Sequence, residues 1–305
     1  CLANLSGTIN YLVNACILTI GDELLQGFTT DTNSAWLGKT LHPYGIYINR
    51  IITVGDDHDA IIYESQQILT SNFDFLFVTG GLGPTHDDVT KKAFCKLLSD
   101  EMYLDEDYFV HLKNRFKTLS RNMPEINRSQ AMLLKNADVI PNDSGSALGM
   151  HYLENNTHIF IMPGVPDEMK DMIQNYIIPN YIKNEPVNNH VTIKTAGIME
   201  SRLAEKIEPL IKKYSATFRL AFLPHYNGVS FRILERESST DLQKVKNEFF
   251  LAMQPYAYGF DDDILEGVLA NTLIYKKLTI ATAESSTGGL IGKRLTDVPG
   301  SSNYF

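Results

Sequence analysis

The sequence predicts an α/β fold: a mainly parallel sheet sandwiched by helices, then a small α+β domain and the start of a third α/β domain. Three observations predict it. Short apolar runs alternate with helical patterns through the first half of the chain, the rhythm of βαβ units. Glycine-rich turns follow several of those runs, as expected where strands empty into binding loops at one sheet edge. Beyond about residue 184 the order of elements changes, and 305 residues exceed the usual size of one domain.

Residues 1–13 begin with Cys1, and the apolar stretch Ile9–Ile20 is interrupted by Asn10 and Asn14 with no basic segment before it. It is too short to span a bilayer and lacks a signal-peptide pattern, so residues 1–13 read as an extension without a role. Ala15–Ile20 follows as a strand and Asn33–Tyr44 as a helix stopped by Gly45. Next come a strand over Ile46–Val54, a helix over Asp57–Thr70, a buried strand over Phe73–Thr79 and a helix over Asp87–Leu98. The more polar stretch Ser99–Gln130 carries helical periodicity in Tyr108–Leu119 and a loop around Pro124. Val139–Pro141, a glycine-rich turn over Asp143–Gly149 and the strand His158–Met162 lead to a helix over Pro166–Tyr176. Pro179 then marks a boundary, so the first domain is expected over residues 14–180. In residues 181–260, His190–Ala196 and Val229–Glu235 read as strands, and Glu200–Lys213 and Asp241–Met253 as helices. Residues 261–305 read as a helical connector, Asp261–Lys277, running into a strand over Leu278–Ala283 and an incomplete domain.

Composition narrows the function. Apolar residues at 44% and charged residues at 21% are those of a soluble globular protein. With 27 Lys+Arg against 36 Asp+Glu the net charge is -9, and no basic run supplies the face that long nucleic acid requires. A single nucleotide remains a feasible partner, because backbone N–H groups and a metal can neutralise a few phosphates. Cys1, Cys16 and Cys95 form no C-x-x-C, which excludes a disulfide framework or zinc site and fits a reducing, cytoplasmic setting. The eight histidines show no H-x-x-x-H or His/Cys cluster, and only His86 falls in a candidate site.

The most informative segment is Phe73-Asp-Phe-Leu-Phe-Val-Thr-Gly-Gly-Leu-Gly-Pro-Thr-His-Asp-Asp-Val-Thr90. A buried strand empties into a glycine turn, and a helix is expected directly after it. Gly80, Gly81 and Gly83 permit positive φ and a close ligand approach, and the helix N-terminus suits a phosphate. There is no G-K-[ST], and the glycine spacing is not that of a dinucleotide turn. Asp87 and Asp88 stand where a P-loop has its Lys; they would repel phosphate unless a magnesium-like ion bridged the two. The same residues also read as a capping box, with Thr85 as N-cap and Asp88 at the third helical position, needing no ligand. Thr19-Ile-Gly-Asp-Glu-Leu-Leu-Gln-Gly27 ends another strand with solvated Asp22 and Glu23, and Asp31 and Asn33 read as caps of the next helix. Pro141-Asn-Asp-Ser-Gly-Ser-Ala-Leu-Gly149 and Met162-Pro-Gly-Val-Pro-Asp-Glu-Met169 are further turns beside strands.

T-x-G-D-E-L-L-x-G at Thr19–Gly27, V-G-D-D at Val54–Asp57, T-G-G-L-G-P-T-x-D-D-x-T at Thr79–Thr90 and P-G-V-P-x-E-M at Pro163–Met169 together resemble the competence/damage-inducible protein A (CinA) family. The resemblance runs in order over about residues 14–305. It implies a first domain similar to the molybdopterin-binding domains of molybdenum-cofactor biosynthesis proteins, associated with metal-dependent ADP-ribose pyrophosphatase activity. By resemblance, Gly80, Gly81, Gly83 and Thr85 hold the diphosphate, and Asp87 and Asp88 are catalytic and carry a Mg, Co or Mn ion. Gly21, Glu23, Asn33, Asn142, Gly164 and Glu168 join the same pocket. The implied reaction is attack of a metal-activated water on a diphosphate phosphorus.

The middle domain resembles the family's KH-like domain. Gly197-Ile-Met-Glu-Ser201 stands where nucleic-acid-gripping KH modules have G-x-x-G, so it reads as a spacer or dimer contact. Thr282-Ala-Glu-Ser-Ser-Thr-Gly-Gly289 and Pro299-Gly-Ser-Ser-Asn-Tyr-Phe305 resemble the opening of the family's nicotinamide-mononucleotide amidohydrolase domain. Ser285 and Ser302 belong to that remnant site; Ser286 replaces the usual Cys, and the Tyr and Lys partners of Ser302 would lie past Phe305, so amidohydrolase activity is expected to be absent. The resemblance further implies a homodimer and a small-molecule, ADP-ribose-like nucleotide as partner; the apolar pattern of the sequence leads us to expect no membrane partner. Two other readings stand beside hydrolysis: a pterin or nucleotide binding module without turnover, and a scaffold.

Overall fold

A computed structural model describes residues 13–118, 120, 122–182, 190–235 and 241–305. The proposed extension, apart from Val13, lies outside the described residues, as does Leu119 at the end of the periodic stretch. The chain forms two compact units, Cys1–Val187 and Asn188–Phe305.

The first unit is built on β1 (Val13–Ile20), the short helix α1 (Asp22–Leu25), α2 (Thr32–Leu41), β2 (Ile46–Val54), α3 (His58–Leu69) and β3 (Phe75–Thr79). Then follow α4 (Thr90–Leu97), β4 (Met102–Leu104), α5 (Glu106–Thr118), β5 (Met132–Leu134), β6 (Asp138–Ile140), β7 (Gly149–Glu154) and β8 (Thr157–Met162). Six strands pair in the order β2-β1-β3-β8-β7-β6. β2, β1, β3 and β8 are mutually parallel, while β7 and β6 add antiparallel at one edge, so the sheet is mainly parallel.

Alternation along each strand explains why helices cover both faces. Leu18 and Ile20 of β1, Leu76 and Val78 of β3, and Ile159 and Ile161 of β8 pack with Ile61 and Ile68 of α3 and Phe94 of α4. The intervening Ile17, Phe77 and Phe160 pack on the other face with Leu37 and Leu41 of α2 and with Met169 and Ile173. Local signals set the boundaries: Asp31 caps α2 by accepting from Ser34 N at 2.9 Å, Gly45 closes the turn after it at φ 76°, and Asp57 caps α3 through Ala60 N at 2.8 Å.

Two expectations are corrected here. The helix after the glycine turn begins at Thr90, not Asp87, because Asp88 is committed to the turn. The last helical stretch does not stop at Tyr176: α6 (Pro166–Asp171) continues through a π-helical turn over Met172–Ile177 into α7 (Ile178–Tyr181). Pro179 thus lies inside a continuous helical run, directly after the π-helical turn, and does not end it.

The second unit holds β9 (His190–Thr195), α8 (Glu200–Tyr214), β10 (Phe218–His225), β11 (Gly228–Glu235), α9 (Leu242–Ala252) and β12 (Ala257–Phe260), in an antiparallel sheet ordered β10-β11-β9-β12. α10 (Leu265–Lys276) and α11 (Leu290–Thr296) close around Ala270, Leu273, Leu295 and Tyr304. Leu278–Ala283 is not a strand: among the described residues no strand pairs with it, and Ile280 N bonds instead to Tyr304 O at 2.7 Å. No helix among the described residues is long and apolar enough to cross a membrane.

Candidate functional site

The parallel register brings the ends of β1, β2, β3 and β8 to one edge: Ile20 stands beside Val54, and Thr79 lies between Thr19 and Met162. Four turns therefore meet there, namely Gly21–Glu23, Gly55–Asp57, the glycine turn from Gly80, and Pro163–Glu168. Close packing shapes the meeting point. Gly80 N donates to Met162 O at 3.1 Å, and Gly80 has φ 116° with its Cα so near Ile20 that a Cβ would collide with the Ile20 carbonyl. Thr90 Oγ1 donates back to Gly80 O at 3.0 Å, tying α4 to the turn.

Asp88 holds the turn's shape. Its Oδ1 accepts from Gly83 N at 2.7 Å, and its Oδ2 accepts from Thr85 N at 2.7 Å and from Thr85 Oγ1 at 2.6 Å. This is half of the expected capping box, closed before the helix begins. Asp87 is exposed and makes no ion pair with Lys or Arg among the described residues.

The β1 and β2 turns clasp each other: Asp22 N donates to Asp56 Oδ2 at 2.9 Å, and Asp56 N donates to Asp22 Oδ1 at 3.2 Å. Burial pushes the Asp56 carboxyl above its ordinary value, and the charges of Asp22, Glu23 and Asp87 push it further, against the backbone bond from Asp22. Carboxylates from the ends of β1, β2 and β3 thus share one electrostatic neighbourhood. Asp56 lies in the V-G-D-D stretch, where nothing in the sequence marks it as a site residue; only the parallel register places it beside Asp22.

Asn33 is no cap. It is buried, and its Nδ2 donates to Thr79 Oγ1 at 3.1 Å and to Gly164 O at 2.8 Å, while Thr79 Oγ1 donates to Pro163 O at 3.0 Å. Asn142 and Glu168 also meet, with Asn142 Nδ2 donating to Glu168 Oε2 at 2.5 Å and to Ala147 O at 2.8 Å. Gly145, whose N donates to Asn142 Oδ1 at 2.8 Å, leaves no room for a Cβ beside the Glu168 carboxylate. The loop between β6 and β7 is anchored from α5: Arg115 Nη1 donates to Gly145 O, and Tyr108 Oη donates to Ser146 O at 3.0 Å. Burial pushes the Tyr108 phenol up to about 12.

Lys91 was invisible to sequence reasoning. It is buried beneath the turn, and its Nζ donates to Ser129 O at 3.0 Å and Gln130 O at 3.3 Å. Desolvation pushes its ammonium down to about 8, with Asp88 opposing. Two histidines meet through the fold: the β7–β8 register sets His151 Nε2 at 2.9 Å from His158 Nδ1, with His151 Nδ1 at 3.0 Å from Asp138 Oδ2. Even so, among the described residues no group of three or more His, Cys, Asp or Glu is arranged to hold a metal ion.

In the second unit Ser285 and Ser302 are both exposed, and no bond joins Ser302 to a base among the described residues. Neighbouring Glu284 caps α11, accepting from Ile291 N at 2.9 Å and Gly292 N at 2.7 Å.

Comparison with known proteins places this geometry. Three family models match in order: "Probable molybdopterin binding domain" over residues 16–183, "Damage-inducible protein CinA KH domain" over 190–250 and "CinA C-terminal domain" over 262–305. A CinA-like protein of Flavobacterium psychrophilum is 38% identical over 96% of this chain and 72% of its own length. One from Chloroherpeton thalassium is 39% identical over 95% of this chain and 71% of its own. The crystal structure of the protein CinA from Thermoplasma acidophilum, described as of unknown function, is similar to 56% of this chain and 98% of its own, with 30% identity and a TM-score of 0.50. With relatives at this identity matching nearly the whole of this chain and all three domain models in order, the chain belongs to the CinA family.

Proposed function

We propose that the first unit binds a nucleotide diphosphate at the edge around the glycine turn and hydrolyses it with a divalent cation, as an ADP-ribose pyrophosphatase does. The observation that supports this reading is the shared neighbourhood of Asp22, Glu23, Asp56 and Asp87, in which no Lys or Arg ion pair among the described residues compensates the negative charge. Such a cluster beside a phosphate cradle favours a hard cation with all-oxygen ligands. The donor set fits Mg or Mn: these ions take one or two carboxylates and leave the rest of the shell to water and phosphate oxygens, so no preformed cage is needed. Co stays within the same proposal.

In this reading Asp87 holds the cation, and Asp88 keeps the turn in shape. When bound, the cation supplies positive charge to the phosphoryl oxygens. The turn Gly80–Gly83 lets the diphosphate approach the backbone, and the start of α4 at Thr90 adds the positive end of its helix dipole nearby. Asp56, whose carboxyl is raised by burial and by its acidic neighbours, accepts the proton of the water that attacks a diphosphate phosphorus as the bridging P–O bond breaks and AMP leaves. Asn33, Asn142, Gly164 and Glu168 form the fixed wall opposite.

A binding module without turnover is the second reading, favoured by the absence of a preformed metal group among the described residues. AMP release from ADP-ribose, with Mg, Co or Mn added in turn, separates the two. The wild type is expected to turn over with metal, and Asp87→Asn to lose about a hundredfold or more of that rate, the scale of removing one oriented charge-stabilising group. Turnover retained by Asp87→Asn refutes the assignment; no turnover by the wild type with any of the three metals leaves the binding module.

A further inference from the structure

In the second unit, α8 and α9 cover one face of the sheet, with Leu203 and Phe249 packed on Phe218 of β10, Phe231 of β11 and Ile193 of β9. Alternate residues of those strands point the other way. The antiparallel registers lay them out: Arg232 stands between Ala221 and Thr192, Lys194 lies one row on beside Ser230, and Arg219 holds a corner beside Leu234. No Asp or Glu occupies this face of β9, β10 or β11.

The face is cationic and its charges are uncompensated. Arg219, Ala221 and Arg232 are exposed, and Lys194 is half-buried. Arg232 Nε donates to Thr192 Oγ1 at 3.1 Å, which fixes the guanidinium over β9. None of Arg219, Arg232 and Lys194 forms an ion pair among the described residues. Asp261, at the β9 edge, is engaged with Thr192 N at 2.8 Å. The rest of the chain has the opposite sign. Residues 188–305 hold 14 of the 27 Lys+Arg and 13 of the 36 Asp+Glu, leaving 13 against 23 in the first unit, a net -10. The net negative charge of the chain therefore belongs to the first unit.

We propose that this sheet face docks on the acidic first unit of a second copy of the chain, and that two copies exchange the contact reciprocally about a two-fold axis. Two such faces cannot stack on each other, because Arg219, Arg232 and Lys194 would meet like charges. The first unit offers the complementary sign, and two-fold symmetry then repeats the contact and closes the assembly. Arginine beside half-buried Leu223 and Leu234 suits a protein partner. A single-stranded nucleic acid would find no Phe, Tyr or Trp on this face of the three strands for its bases to stack on.

Sedimentation velocity of the full chain, over a range of concentrations in about 50 mM and about 500 mM salt, tests this. The wild type is expected to dimerise at low salt and to weaken by about tenfold or more at high salt. Arg219→Glu and Arg232→Glu, both at exposed positions, each weaken the low-salt dimer by about tenfold or more. Ala221→Lys adds a charge to the centre of the face and tightens the dimer by about threefold, a gain that a poorly folded chain would not give. Zero-length carbodiimide coupling in a mixture of isotope-labelled and unlabelled chains is expected to join Lys194 of one copy to a first-unit carboxylate of the other. The proposal is overturned if the wild type stays monomeric at low salt, if both Arg variants dimerise as tightly as the wild type, or if Lys194 couples between copies only to second-unit carboxylates. Growth beyond the dimer with concentration overturns the reciprocal arrangement. A labelled oligothymidylate that binds a monomeric wild type and is lost by both Arg variants gives the face to nucleic acid instead.

Discussion

Replacing Lys91 by Met gives a measurable consequence of burying an ammonium under the turn. Its pKa of about 8 against an ordinary 10.5 corresponds to about 3 kcal/mol between the folded and unfolded environments. The folded pKa of this base is depressed, so between about pH 8 and 10.5 the unfolded chain holds the proton more firmly than the folded one. Folding releases a proton in that window, and the Lys91 contribution to stability rises with pH across it. From about pH 7 to about pH 9.5 the gain is about 2 kcal/mol, and the neutral amine can still donate to Ser129 O and Gln130 O. Met fills similar volume, leaves those carbonyls without that donor and does not titrate. The chain's single tryptophan, Trp36, lies in α2 of the same unit, so urea unfolding followed by its fluorescence reports on this unit. The stability of wild type minus Lys91→Met is expected to grow by about 2 kcal/mol between those two pH values. A difference that stays flat would mean that Lys91 is hydrated, and the account of its buried contacts would fall with it.

Gly80→Ala is expected to cost about 3 kcal/mol, because the new Cβ meets the Ile20 carbonyl at φ 116°; a thermal melt of the first unit unchanged from wild type would contradict the close packing of β1 and β3. In the second unit, Glu266 accepts both Arg294 Nε and Nη2 at 2.9 Å, and that guanidinium holds the Glu266 carboxyl below its ordinary value. Its contribution is present above the ordinary carboxylate range and is lost as pH falls through it; with Arg294 37% exposed, Glu266→Gln should cost only about 1 kcal/mol at neutral pH and nothing in acid, read by calorimetry.

How much of this was legible in the sequence depended on whether the deciding force was local. β2 matches its expected span because Gly45 and Asp57 mark the neighbouring turns by backbone conformation and capping, both properties of a few adjacent residues. β4 and β5 are three residues each and pair across thirty positions, so no run of alternation announces them. β10 was missed because Pro224 and partly exposed residues interrupt its pattern, whereas apolar Leu278–Ala283 read as a strand although no strand pairs with it among the described residues. In the site, the glycine turn and the β1 turn were found from their position after strands. Asp56 and Lys91 were not: each looks solvated in sequence, and only the parallel register or the 3-10 segment Glu125–Ala131 folded over α4 changes its surroundings.

The most recognisable part of the motif is also the part that packing already explains. Gly80 is required by Ile20, Thr90 ties α4 to Gly80, and Asp88 serves Gly83 and Thr85, so these residues would be needed even if nothing bound there. What packing leaves unexplained lies just beside them. Asp56 is buried beside the negative charges of Asp22, Glu23 and Asp87, and Lys92 stands without a counter-ion among the described residues. Asn33 belongs with them. Both its Nδ2 partners, Thr79 Oγ1 and Gly164 O, can only accept from it, since the Thr79 hydroxyl proton goes to Pro163 O. The amide is therefore fixed in one orientation, and Oδ1 is left as a buried acceptor without a partner among the described residues. A fold that satisfies its turn so fully, yet leaves uncompensated charges and an orphan acceptor around it, has spent stability where packing gains nothing. Those groups, more than the glycines, are where a ligand's complementary charges and donors would act.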